Sequence, residues 1–138
     1  MQNRKLILAV FPLITIFLEM LPYGAVLNFA RPATDGSIGW FRETFSYFSL
    51  TPFGYANFGP LLTAVFSCLL FVFIAVYICT NKTIFRKTAR IFNLIAIITS
   101  LLPLLFGLRY MSIVGFLITA GLCFSFALIH KFKENPEE

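Results

Sequence analysis

Three long runs without a charged side chain constrain this chain more than any other feature. They cover residues 61–79, 91–108 and 110–129, with lengths of nineteen, eighteen and twenty residues. A helix needs roughly 18–20 apolar residues to cross the ~30 Å hydrocarbon core of a bilayer. Only 12% of the chain is charged, against about 25% in soluble domains, so too few polar residues remain to cover three such helices in water. The sequence therefore predicts an integral membrane protein.

Residues 6–27 form a fourth apolar segment, which is interrupted by Glu19. Its basic start followed by an apolar run is also typical of a secretory signal peptide. The positions where cleavage would occur, near Ala25 or Ala30, lack the small-x-small pattern of cleavage sites. We therefore expect an uncleaved span.

The basic residues indicate how the spans are oriented. Eight of the eleven Lys and Arg residues precede the first span, follow the last, or lie in residues 81–90 between the second and third. Only Arg31, Arg42 and Arg109 lie on the other side. Because cytoplasmic loops are enriched in Lys and Arg, we expect a multi-pass plasma-membrane protein with both termini and residues 81–90 in the cytoplasm. The net charge of +5 thus arises from basic residues that are concentrated on one side of the membrane. It does not indicate a basic patch for nucleic acid, and no nucleic-acid partner is predicted.

These features predict an all-α integral membrane protein that forms one domain over residues 1–138. The long connection, residues 28–58, lies on the exoplasmic side. The four transmembrane helices cover about 6–27, 59–80, 91–108 and 110–130.

Part of the exoplasmic connection has the pattern of an amphipathic helix. Phe41, Phe45 and Phe48 recur at i, i+4 and i+7 within residues 40–50, which places them on one helical face. A short helix rich in aromatic residues beside a span is typical of helices that lie in the membrane interface. We therefore expect residues 40–50 to be helical and parallel to the bilayer, with the three phenyl rings toward the lipid.

The exoplasmic end of the molecule carries polar and aromatic side chains, and their pattern can be interpreted in two ways. One is an aromatic belt at headgroup depth together with the covering helix. The other is a lid over a cavity between the helices that contacts a lipid or another ligand. The residues considered for a cavity or lid are Tyr23, Asp35, Trp40, Arg42, Tyr55 and Asn57.

Small residues in the last span indicate close helix packing. Gly121 and Ser125 form a small-xxx-small pair, and Gly115 lies nearer the start of the same span. Residues of this size allow another helix to approach closely.

Glu19 is the only acidic residue within a predicted span. A charge inside the membrane costs on the order of 2.5–3.5 kcal/mol unless it is paired or hydrated, so it is a functional hypothesis by default. We expect the carboxyl to face the other helices and to pair with Arg109, and Arg31 or Arg42 are alternative partners. The pair either fixes the helix register or takes part in function.

Recognisable catalytic and cofactor signatures are absent from the sequence. His130 is the only histidine, which excludes a Ser-His-Asp triad and a multi-histidine metal site. The three cysteines all fall within predicted spans, where thiols pack as small apolar groups. No catalytic residue, metal site or cofactor is predicted.

Three functions remain open. The favoured one is a non-catalytic protein that acts by binding, as an accessory subunit or homo-oligomer, in contact with membrane lipids and a membrane-protein partner or a second copy. The alternatives are a small proton- or ion-coupled transporter that uses Glu19, and a membrane enzyme that acts on lipid. Four spans with one glutamate in the first resemble, in layout only, the small multidrug resistance transporters, whose glutamate exchanges protons for a cationic drug and whose loops are short.

Overall fold

The computed structural model describes residues 2–32, 34 and 36–131. For residues 2–4 it describes the backbone only. A 3-10 turn, Leu108–Tyr110, joins the last two helices, and the described chain is mostly helical. The elements in chain order are α1 (Gln2–Met20), β1 (Ala25–Pro32), β2 (Ile38–Phe45), α2 (Leu50–Gly54), α3 (Gly59–Thr80), α4 (Thr83–Leu105) and α5 (Ile113–Lys131).

Three helices, α3, α4 and α5, are long and apolar enough to cross a membrane, with 22, 23 and 19 residues. Local sequence explains where α3 begins and ends. Pro60 lies in its first turn, where the missing N–H of proline costs nothing. Asn81 follows its last turn in the left-handed conformation, with φ of 57°, which asparagine tolerates better than most residues. Three such helices are compatible with a multi-pass membrane protein.

The four long helices pack in a closed order. α1 lies against α3 and α5, and α4 lies against the same two helices. Leu70, Ile118 and Leu122 are fully buried between them. Large apolar side chains such as Val72 and Ile98 point outward and are exposed. An apolar outer surface of this kind is unfavourable in water, whereas lipid is a suitable solvent for it.

Residues 40–50 do not form the predicted interfacial helix. Ile38–Phe45 is strand β2, which pairs antiparallel with β1 in a register that runs from Ala25 opposite Phe45 to Pro32 opposite Ile38. The helix that follows, α2, has five residues and begins only at Leu50. The exoplasmic amphipathic helix is therefore corrected to a β-hairpin, residues 25–45, which we call the hairpin.

The helix prediction was wrong because a four-residue spacing fits both structures. Phe41 and Phe45 share one face of a helix, but residues two and four apart also share one face of a strand. Pairing decides between the two. Phe29 of β1 lies directly opposite Phe41, and the two rings stack with centroids 5.4 Å apart. Cross-strand aromatic pairs stabilise a sheet by roughly 0.2–1 kcal/mol each.

The first apolar segment is helical over a different range from the predicted 6–27. α1 ends at Met20, and β1 begins at Ala25. Pro22 lacks an N–H for the helical ladder and disfavours helical geometry in the residue before it. The chain therefore turns over residues 21–24 instead of continuing the helix.

The connection between α3 and α4 is much shorter than the predicted loop over residues 81–90. α4 begins at Thr83, so Arg86, Lys87 and Arg90 lie on its first turns. Arg, Lys and Ala are all good helix formers. The charge of the Arg and Lys side chains therefore does not interrupt the helix. The basic residues of this region are therefore held on a rigid element.

Gly59 allows α3 and α4 to come into close contact. A Cβ on Gly59 would lie 2.8 Å from the carbonyl oxygen of Thr99 and 2.9 Å from Cδ of Pro103, both in α4. Pro103 has no N–H to donate to that carbonyl four residues earlier. The first residue of α3 therefore packs on a stretch of α4 backbone that has lost its usual helical hydrogen bond.

Replacing this glycine should loosen the contact between α3 and α4. We expect Gly59→Ala to lower the free energy of unfolding by about 1–3 kcal/mol, the usual cost of overpacking, because a backbone carbonyl cannot move aside as a side chain can. Gly54→Ala is the matched control, since a Cβ there meets nothing within 4 Å. Unfolding in mixed micelles of rising denaturing-detergent content measures both variants, and equal stabilities would contradict the contact.

Candidate functional site

The side chain of Glu19 lies inside the helices. It is 0% exposed, and its Oε1 accepts a hydrogen bond from Ser67 Oγ of α3 at 2.7 Å. Its other oxygen, Oε2, is buried and has no hydrogen-bond partner among the described residues. Because an unsatisfied buried polar atom costs about 1–3 kcal/mol, this carboxyl is the leading candidate for a functional group.

Two further hydrogen bonds between hydroxyl groups join neighbouring helices. Thr63 of α3 donates to Thr99 of α4 at 3.0 Å, and Thr119 of α5 donates to Ser100 of α4 at 3.0 Å. Side-chain hydrogen bonds therefore join α1 to α3, α3 to α4, and α4 to α5. We call this set the hydroxyl network: Glu19, Thr63, Ser67, Thr99, Ser100 and Thr119.

The hydroxyl network lies in the half of the helices nearest the hairpin. In the other half, the buried polar side chains among the described residues are Asn93 and Ser125. The Asn93 amide is satisfied by the backbone of α5 when Nδ2 donates to the Leu122 carbonyl at 3.2 Å and Oδ1 accepts from the Phe126 N–H at 2.9 Å. The buried polar groups therefore do not continue as a route from one end of the described helices to the other.

The base of the hairpin covers the hydroxyl network. The backbone N–H of Tyr47, two residues after β2, donates to the carbonyl oxygen of Glu19 at 2.9 Å. The buried Tyr47 ring lies against Gly24, where a Cβ would be 2.8 Å from the ring. Burial, and to a lesser degree the charge of Glu19, raises the pKa of the Tyr47 hydroxyl, so the phenol stays neutral at physiological pH.

The expected pair of Glu19 and Arg109 does not form. Arg109 lies exposed on the 3-10 turn between α4 and α5, and Ser67 makes the hydrogen bond to the carboxyl instead. A hydroxyl can meet the carboxyl without removing a second charge from water, which is the main cost of a buried ion pair. Arg42, one of the alternative partners, donates through Nη2 to the carbonyl of Met111 at 3.1 Å.

The residues considered for a lid lie at different places. Some line two separate shallow grooves, and others contact strand β1. Tyr23 and Arg42 line a groove of about 380 Å³ that also includes Ser112. Trp40 lines a separate groove of about 240 Å³ together with Arg31. Neither groove is lined by Glu19, so these residues do not gather around one cavity.

Two further residues of that set hold the hairpin in place. Tyr55 meets Phe29 edge-on with centroids 5.2 Å apart. Asn57 is buried, and its Nδ2 donates to the Val26 carbonyl at 3.5 Å, the limit for such a bond. Asp35, the last of the set, lies outside the described residues.

The small residues of α5 are used inside the molecule. A Cβ on Gly121 would lie 2.7 Å from Oγ1 of Thr15 in α1, and one on Gly115 would lie 3.2 Å from the Tyr47 hydroxyl. Ser125 is buried as well. These residues therefore admit α1 and the hairpin base, and they do not form an exposed face for a partner helix.

Of the site residues, sequence reasoning identified Glu19 but missed Tyr47 and the other members of the hydroxyl network. A hydroxyl within an apolar helix commonly bonds its own backbone, as Thr15 does with the Phe11 carbonyl at 2.9 Å. Such a residue therefore carries little information from sequence alone. One weak signal existed, because Thr63 and Ser67 are four residues apart and share a helical face.

The geometry around Glu19 suits the binding of a proton or of one hydrogen-bond donor at Oε2. No group of three His, Cys, Asp or Glu side chains that could hold a metal ion occurs among the described residues. Ser67 and Glu19 are both fully buried, so a lipid substrate has no access to them in this conformation.

Comparison with known proteins gives no relative, because no protein-family model, no curated protein and no solved structure matches this chain.

The contact between Ser67 and Glu19 can be tested by a double-mutant cycle. We expect Ser67→Ala to lower the free energy of unfolding by about 1–2 kcal/mol, at the upper end for hydrogen bonds between membrane helices, because both carboxyl oxygens are then left without a partner. In a Glu19→Met background, where no carboxyl remains, the same change should cost less. Detergent unfolding of the four proteins measures the difference, and an equal cost of Ser67→Ala in both backgrounds would contradict the contact.

Proposed function

We propose that this chain is a four-span membrane protein with both termini in the cytoplasm that acts by binding, through the hairpin, to a membrane-protein partner or a second copy. In this proposal α1 is the fourth span, and the hairpin lies on the exoplasmic side. The 19 residues of α1 extend about 28 Å at 1.5 Å per residue, close to the ~30 Å of a bilayer core. The 8 to 3 division of Lys and Arg supports the orientation.

The observation that carries the proposal is the exposure of β2. Its residues are exposed from Ile38 to Thr44, and Trp40 and Ile38 have 69% and 68% of their surface open. Among the described residues the sheet has two strands, so one edge of β2 has N–H and C=O groups that no described strand pairs. Exposed edges of this kind accept a strand from another chain, and exposed aromatic side chains such as Trp40 are typical anchors of interfaces.

Crosslinking from the tip of the hairpin tests both the orientation and the contact. We expect a membrane-impermeant photoreactive label on Ser37→Cys, in a chain without its native cysteines, to react on intact cells and to form one discrete adduct. Trp40→Ala should reduce the yield of that adduct several-fold, because an interface anchor is lost. An adduct of twice the chain mass indicates self-association, and another discrete mass indicates an accessory role.

The label on Lys87→Cys is the control, since this exposed residue lies at the other end of the helices. It should react only after the membrane is permeabilised. Labelling of Lys87→Cys on intact cells would contradict the orientation. A diffuse set of adducts from Ser37→Cys that does not respond to Trp40→Ala would contradict binding by the hairpin.

A second candidate function, proton-coupled transport, is favoured by the unpartnered Oε2 of Glu19. Intramembrane carboxylates of this kind are common in proton relays. The candidate requires the helices to open, because the half of the core away from the hairpin contains buried apolar residues such as Leu8, Ile74 and Ile129. We rank it second for that reason.

Proton flux in liposomes tests this candidate. We expect the reconstituted protein to speed the decay of an imposed pH gradient, measured with a pH-sensitive dye, if Glu19 carries protons. Glu19→Gln should then reduce the rate to that of empty liposomes, because an amide cannot release a proton. Glu43→Gln, on the exposed strand β2, should keep the full rate. Equal decay in liposomes with and without the wild-type protein would contradict proton transfer through Glu19 in the absence of a co-transported substrate.

A further inference from the structure

Cations from two helices converge on one tyrosine at the end of the helices away from the hairpin, which we call the basic end. Nζ of Lys5, in α1, lies 5.7 Å from the centroid of the Tyr77 ring. Cζ of Arg86, in α4, lies 5.9 Å from the same centroid. Tyr77 belongs to α3 and is fully buried. Cations within about 6 Å of an aromatic face are attracted by its quadrupole, so this ring holds both cations in place.

Asn81 fixes this arrangement to the end of α3. Its backbone N–H donates to the Tyr77 carbonyl at 2.9 Å. Its side-chain Oδ1 accepts a hydrogen bond from Lys5 Nζ at 2.5 Å. The first turns of α1 and α4 and the last turn of α3 therefore build a defined cationic surface, in contrast to a flexible basic loop.

The positive charge of the basic end comes from side chains. α1 and α4 begin here and α3 and α5 end here, so their end charges of roughly half a unit cancel in pairs. No acidic side chain lies at this end among the described residues. The cations there are Lys5, Lys82, Arg86, Lys87, Arg90 and Lys131.

Arg90 adds a second observation, a guanidinium donor that no described residue satisfies. It follows Arg86 by four residues, so the two share one face of α4. Its Nε is buried and has no hydrogen-bond partner among the described residues. A donor of this kind is satisfied by an acceptor oxygen, and guanidinium groups match the oxygens of a phosphate especially well.

We infer that Lys5, Arg86 and Arg90 bind the phosphate of an anionic phospholipid in the leaflet at the basic end. The 22 residues of α3 extend about 33 Å, so its last turn, with Tyr77 and Asn81, falls at the depth of the lipid headgroups. A phosphate is the most abundant anion at that depth. The inference requires that the helices cross a membrane, and it does not depend on what the hairpin binds.

Lipid titration of the purified protein tests the site. Thermal stability in detergent is followed while phosphatidylglycerol or phosphatidylcholine is added, and bound lipids are counted by native mass spectrometry. We expect phosphatidylglycerol to stabilise the protein and to remain bound as one copy. Lys5→Gln with Arg86→Gln should weaken this binding by about tenfold or more, because direct hydrogen bonds from charged donors to the phosphate are lost. Lys82→Gln with Lys87→Gln changes the charge equally at exposed positions of the same end, and should keep the wild-type affinity.

Each other outcome has a defined meaning. Equal weakening in the two double variants would show diffuse attraction and overturn the site. Stabilisation by millimolar inorganic phosphate equal to that by phosphatidylglycerol would overturn the lipid assignment. If the first double variant does not fold, Arg90→Gln takes its place, with a loss of about tenfold expected for the missing charge-assisted hydrogen bond, and no loss would contradict the inference. Failure here leaves the crosslinking test of the hairpin, at the opposite end, unaffected.

Discussion

The need to satisfy polar groups without water governs this structure, and Glu19 is the residue where that need is greatest. In a fully buried site a polar atom without a partner costs about 1–3 kcal/mol. The carboxyl of Glu19 is held by Ser67 of α3, and the carbonyl of the same residue accepts the N–H of Tyr47 at the hairpin base. One residue therefore connects the first helix, the second long helix and the hairpin. The hydrogen bond between Thr63 and Thr99 extends this connection to α4.

Side-chain hydrogen bonds matter for such helices, because an apolar side chain gains little when it exchanges contact with lipid for contact with another helix. Helices in a membrane are not driven together by the hydrophobic effect, and single interhelical hydrogen bonds are worth about 0.6 kcal/mol on average. The close approach of Gly121 to Thr15, and of Gly59 to Thr99, supplies the tight packing that such bonds require. Small residues and hydroxyl groups therefore set the register of α1, α3, α4 and α5 together.

The three helices that are long and apolar enough to cross a membrane could be predicted because the signal is local and repeated. An uninterrupted apolar run such as residues 110–129 needs no knowledge of its partners. The hairpin could not be predicted from its own residues, since the spacing of Phe41 and Phe45 fits a helix or a strand equally well. The pairing of Phe41 with Phe29, twelve residues earlier in the chain, decides the structure. No local pattern contains that pairing.

The partner of Glu19 escaped prediction for a related reason. Charge complementarity favoured Arg109 for Glu19, whereas the folded chain leaves the guanidinium in the exposed turn and presents a serine hydroxyl. Choosing between them requires the depth and rotation of α3 against α1, which depend on packing across the whole interface.

The structure also explains why the exposed strand can be a rigid surface although it is paired on only one side. Phe29 is held between the stacked ring of Phe41 and the edge-on ring of Tyr55, so β1 is braced against the start of α3 through the loop that contains α2. The base of the hairpin is anchored separately by Tyr47, inside the helices. A strand that is ordered before it meets a partner loses less conformational entropy on binding than a flexible loop does. The interactions that satisfy Glu19 at the base therefore also help to hold Trp40, near the tip, in position for the proposed contact with another chain.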